Sequence, residues 1–200
     1  MNDSEIEKGY KITFENARKL IEEADGLKLF ERFSRAYSLY QLAIEEIGKC
    51  IILFRALLDF YLGKSINKDY LDSMGFFNHK KKTRESLISE LFAIISFEKS
   101  TGKETNLKQK IFDDYNSVHE LNNKKNQSLY VDIIDDKFKS PDSIITKEMV
   151  DDISTTAHIR LKAIEPFLRP LIEMKEIAKK LDELTNNPEK VKEIEQKYAS

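Results

Sequence analysis

The stretch Ala36-Tyr37-Ser38-Leu39-Tyr40-Gln41-Leu42-Ala43-Ile44-Glu45-Glu46-Ile47-Gly48-Lys49 decides the fold, because it reads as the middle of a long, deeply buried helix. At helical spacing, Phe33, Tyr37, Tyr40, Ile44, Ile47, Ile51, Phe54, Leu58 and Tyr61 form an unbroken apolar stripe. A second stripe runs beside it through Leu39, Ala43, Glu46, Cys50, Leu53, Leu57 and Phe60, and only Glu46 interrupts it. Two adjacent stripes bury a helix on well over half its circumference, so Glu46 is expected to lie inside. A buried carboxylate is tolerated only when a cation or hydrogen-bond donors meet it. Glu45 and Lys49, four residues apart, read as the ordinary surface ion pair of a helix.

Outward from this helix, the chain has 200 residues, 40% hydrophobic and 34% charged, which is enough for one domain with a real core. Six glycines, four prolines and no alternating strand pattern predict an all-α protein. A net charge of −2 gives no whole-molecule attraction to nucleic acid, so any such contact needs a local basic patch. A lone cysteine, Cys50, excludes an intramolecular disulfide. The polar opening MNDSEIEKGYK has no secretory core, and the longest apolar run, Cys50 to Phe54, is too short for a membrane. A cytoplasmic, membrane-free protein is expected.

Five principal helices are predicted. The first spans about Thr13 to Ala24, ended by Asp25-Gly26. The second runs from Leu29 to Leu62, on the order of 50 Å at the α-helical rise. Gly63 to Gly75 reads as a loop with local order near Tyr70 and Leu71. Lys81 to Phe97 and Leu107 to Tyr130 are the third and fourth helices, and Asp135 to Ser143 a loop closed by Pro141. The fifth begins at the Thr146 cap and breaks at Pro166 and Pro170. Residues 1–174 are expected to form the bundle and 175–200 a charged helical tail.

The fourth helix repeats the oddity of the second. Asn122 and Lys125 fall where its stripe Ile111, Tyr115, Val118 should stay apolar, with Asn126 and Tyr130 flanking them on what reads as one face. Lys125 is the natural partner of a buried Glu46. His79-Lys80-Lys81-Lys82-Thr83-Arg84 is the one dense basic cluster; it reads either as a solvated helix start or as a phosphate contact through His79, Lys80, Lys82 and Arg84. No His, Cys, Asp or Glu set has metal spacing, and Gly-rich phosphate loops and nucleophile elbows are absent, so neither a metal nor a cofactor is expected.

Ala36, Leu39, Ala43, Glu45, Glu46, Gly48 and Lys49, then His79 with Lys82, then Leu129-Tyr130-Val131-Asp132 followed by Pro141, together resemble the AbiV-type abortive infection proteins of bacteria, within the HEPN superfamily of helical bundles. The resemblance covers about Phe14 to Ala163. It implies a HEPN-like bundle, an antiphage role in which the infected cell is arrested, and a homodimer. The aromatic residues Tyr37, Tyr40, Phe54, Phe60 and Tyr61 exceed what one helix needs and agree with a dimer. HEPN domains are commonly metal-independent ribonucleases that use an Arg followed four to six residues later by a His. Here no His follows Arg18, Arg32, Arg35, Arg55, Arg84, Arg160 or Arg169 at that distance. The nearest positional match is Lys125-Asn126 with Tyr130, and tyrosine, with a reference pKa of about 10, is a poor base at neutral pH. Two main functions stay open, with a nucleotide-sensing bundle as a third. In one, Lys125, Asn126, Tyr130 and Glu46 act on RNA or a ribosome-associated target. In the other, the bundle is non-catalytic and binds a protein, either phage-encoded, such as an activator, or from the host.

Overall fold

A computed structural model describes residues 1–105, 107–167 and 171–187. Its elements in chain order are α1 (Asp3–Leu29), α2 (Phe33–Tyr61), α3 (Lys68–Met74), α4 (His79–Thr101), α5 (Leu107–Leu129), β1 (Asp132–Ile134), β2 (Lys137–Lys139), α6 (Pro141–Ile144), α7 (Lys147–Ile164), a 3-10 turn at Glu165–Phe167, and α8 (Leu171–Thr185). The fold is all-α, as expected, with α2 at its centre touching α1, α4, α5, α7 and α8. No described helix is long and apolar enough to cross a membrane.

Two apolar clusters line α2. One joins Ile6, Tyr10 and Ala17 of α1 to Ile47, Ile51 and Leu53 of α2 and to Ile164 and Met174; the other joins Ile21 and Ala24 to Tyr37, Tyr40 and Ile44 and to Val150, Ile153 and Ala157 of α7. The aromatics that seemed surplus are used inside the chain. Tyr37 and Tyr40 are buried, and Phe54, Phe60 and Tyr61 pack on the first cluster, so they lend no support to a dimer.

Several boundaries differ from the sequence reading. α1 begins ten residues earlier, because the Asn2 side chain accepts the Glu5 amide at 2.9 Å and a buried spacing of Ile6, Tyr10, Thr13 and Ala17 already runs through the charged opening. It also continues past Asp25-Gly26, and the chain reverses only at Glu31, which takes φ 58°. The loop after α2 holds the short α3, capped by Asn67 and closed by Gly75 at φ 97°. A small hairpin, β1–β2, was not foreseen. Its strands are three residues long, too short to show alternation, and its turn is Asp135-Asp136, both at positive φ, rather than a glycine pair. α7 starts at the Thr146 cap as expected, and Pro166 lies in the 3-10 turn. α8 runs across residues 174 and 175 with Met174 and Ala178 both buried. Pro170 and residues 188–200 lie outside the described residues.

The contact between α2 and α4 is unusually close. A Cβ at Gly48 would stand 1.8 Å from the Lys82 carbonyl oxygen. Glycine inside a helix costs about 1 kcal/mol relative to alanine, so here it is retained for the approach of the two backbones. Gly48→Ala is therefore expected to lower stability by about 1–3 kcal/mol, the usual range for overpacking, despite its better helix propensity; chemical denaturation measures it.

Candidate functional site

On α2 the hydrophobic pattern is partly turned inside out. Leu39 and Leu42 lie half-buried on the outer side with Arg35, Glu46 and Lys49, while Ser34, Ser38, Gln41, Glu45 and Gly48 point inward. The buried carboxylate is thus Glu45, 2% exposed, and not Glu46. Correspondingly the ion pair on the half-buried outer side is Lys49 with Glu46, at 2.5 Å, with Lys49 also lying over the Phe76 ring, and the expected Glu45–Lys49 pair does not form.

Glu45 is met from two helices. Lys125 of α5 donates to Oε1 at 2.6 Å, Lys82 of α4 lies 3.0 Å from Oε2, and the His79 Nδ1 edge is 2.6 Å from the same oxygen. Both lysines are 6% exposed, whereas the His79 side chain remains 59% exposed. His79 is the first residue of α4, set there by the Asn78 cap, which accepts the Lys81 amide. A carboxylate against the first turn of a helix is favoured by the helix dipole. Burial alone would raise the Glu45 pKa, but hydrogen bonds from Lys125, His79 and Lys82 outweigh it and hold the carboxyl below its ordinary range.

Sequence-predicted residues therefore separate. Lys125 reaches a buried carboxylate as expected, though Glu45 rather than Glu46. Asn126 and Tyr130 point outward instead of sharing its face; with Asn123, Gln127 and Asp132 they line a surface recess. Within the basic cluster, His79, Lys80 and Arg84 are exposed, and Lys82 is turned inward to Glu45. The sequence signal for Glu45 was its spacing three residues before Gly48. A helical glycine marks where another backbone approaches, and residue 45 shares that side.

A second buried ion pair lies farther along α4. Arg160 of α7, 1% exposed, donates to Glu90 at 2.9 and 3.0 Å and to the Ser86 hydroxyl at 2.9 Å. Nothing in the spacing of α7 had set Arg160 apart from its surface charges. Gln41 donates to Thr83 at 3.3 Å on the same α2–α4 seam. The buried thiol of Cys50 has its pKa pushed up by desolvation, which makes it a poor nucleophile. No cluster of three metal-ligating side chains occurs among the described residues.

Removing one partner of a buried ion pair typically costs about 3–5 kcal/mol, so Glu45→Ala is expected to destabilise by that amount in denaturant titration, and Glu46→Ala by less than about 1 kcal/mol. The pH dependence follows from the lowered pKa. Stabilisation by ionised Glu45 is complete above its unfolded value of about 4.3 and is lost as pH falls through the lower folded value. The stability gap between wild type and Glu45→Gln should then narrow on going from neutral pH into acid.

Comparison with curated proteins and with solved structures gave no match. The HEPN_AbiV family model, described as AbiV, matches residues 5–162, which includes α2, His79, Lys82 and Lys125. That family's name carries an abortive-infection, antiphage role. With most of its length matched, this chain belongs to the AbiV family of HEPN proteins.

Proposed function

We propose that this chain is an antiphage effector that arrests the infected cell by acting on RNA, in the translation machinery or free, and that the chemistry lies at Glu45, His79, Lys82 and Lys125. The observation that carries the reading is the position of His79. A buried carboxylate holds its Nδ1 edge at 2.6 Å while the ring stays more than half exposed. Carboxylate-oriented imidazole is the common form of a general acid–base group. It supplies what the Lys125, Asn126 and Tyr130 segment lacks, and it comes from α4, so no Arg-to-His spacing in one helix reveals it.

In this reading His79 takes the proton of a ribose 2′-hydroxyl, whose oxygen attacks the adjacent phosphorus. The bond to the 5′-oxygen breaks, that oxygen takes up a proton, and a 2′,3′-cyclic phosphate remains. Lys125 and Lys82 are too buried to grip the strand. They fix Glu45 and leave a positive field behind the imidazole. Asn126 and Tyr130 hold substrate from their recess. The protein acts as a homodimer, as its family resemblance implies, and light scattering should give twice its 23.4 kDa mass.

The second reading is non-catalytic capture of a phage or host protein. It draws on the β1–β2 hairpin, where the cross-strand pair Ile133 and Phe138 is 61% and 81% exposed. RNA from infected cells separates the two. Wild type should yield fragments with cyclic phosphate ends, and His79→Ala should fold normally yet lose both the fragments and the arrest. Intact RNA with arrest preserved in His79→Ala would move the function to the protein-binding reading.

A further inference from the structure

We infer that the groove among α2, α3, α4 and α5 is a binding site for a nucleotide of single-stranded RNA; this rests on the RNA reading above. The groove has a volume of about 590 Å³. Among the described residues its rim carries three exposed cations, Arg55, Lys81 and Arg84, against one carboxylate, Glu85, and its floor is apolar, with Met74, Ile88 and Leu91.

The rim charges are not equivalent. Glu85 is taken by Arg55 at 2.8 Å. Lys81 has no carboxylate partner among the described residues; its stem crosses Gly75, where a Cβ would stand 2.4 Å from it, and its ammonium rests on the Ser73 carbonyl at 3.3 Å. Arg84 lies over the Tyr115 ring at 4.8 Å, and Tyr115 is 47% exposed. A half-exposed aromatic ring with a guanidinium stacked on it, and an ammonium with no carboxylate partner among the described residues, over an apolar floor, are the elements that bind a base and its phosphate without reading sequence.

Arg84 follows His79 by five residues of α4, about 7.5 Å along the axis and about 140° around it, so a strand with a base on Tyr115 reaches His79 only by running obliquely across α4. A duplex would not expose such a base. The ligand class is therefore a single strand, and a free nucleotide shares the same chemistry.

Fluorescence anisotropy of the full chain with a short, labelled single-stranded RNA tests this. Tyr115→Ala should weaken binding roughly tenfold, Tyr115→Phe should stay within about twofold, and Arg84→Gln should lower the slope of log affinity against log salt by about 0.7. Circular dichroism of each variant checks that it is folded. Equal RNA affinity in wild type, Tyr115→Ala and Arg84→Gln would overturn the groove, as would failure of wild type to bind RNA at all. Displacement of the oligomer by ATP at equal concentration would reassign the site to free nucleotides and overturn the strand claim. Arrest that survives His79→Ala sinks the catalytic reading, while the anisotropy still decides the groove.

Discussion

One buried carboxylate joins the start of α4 and the end of α5 to α2. Among the described residues the two apolar clusters join α1, α2, α3, α7 and α8, and from the α4–α5 pair they take in only the partly buried Ile88. Along the seam with α2, small and polar side chains replace the core. Ser38, Gln41 and Gly48 of α2 lie among buried residues, as do Thr83, Ser86 and Ser89 of α4. Glu45 ties the start of α4 and the end of α5 to α2 in one contact set. An ion pair of this kind gains little over well-packed apolar groups, yet it is severe when half is removed. It therefore fixes one register of the three helices more firmly than it adds stability.

Arg160 performs the matching role farther down α4. By holding Glu90 and Ser86 it pins that helix to α7, so α4 is secured by buried charge at its first turn and at its fourth. Helices held in this way keep His79 at a fixed place on the surface while its Nδ1 edge faces Glu45. Structural network and proposed site are thus the same residues. The carboxylate that secures α4 also faces the Nδ1 edge of the imidazole.

The helical class and the central place of α2 were legible in its apolar periodicity, and so was the inward turn of Lys125, from its break in the α5 stripe. The identity of its partner was not. Counting apolar stripes assumes that leucine faces in and charge faces out, and Leu39 and Leu42 reverse that rule where α2 meets α4. Gly48 was the available clue, since its cost in a helix needs a close neighbour to offset it. His79 looked like part of a basic surface run because its carboxylate partner stands thirty-four residues earlier in the chain. Arg160 and Glu90 are seventy residues apart, and helical spacing carries no trace of such a pair.

Hydrogen exchange of individual amides in Glu45→Gln, compared with wild type, tests the central role of this carboxylate most directly. If Glu45 secures the α4–α5 pair, amides of His79–Thr101 and Leu107–Leu129 should lose protection in the variant while those of α1, α2 and α7 keep theirs. Unchanged protection in α4 and α5, or a uniform loss across all helices, would contradict it.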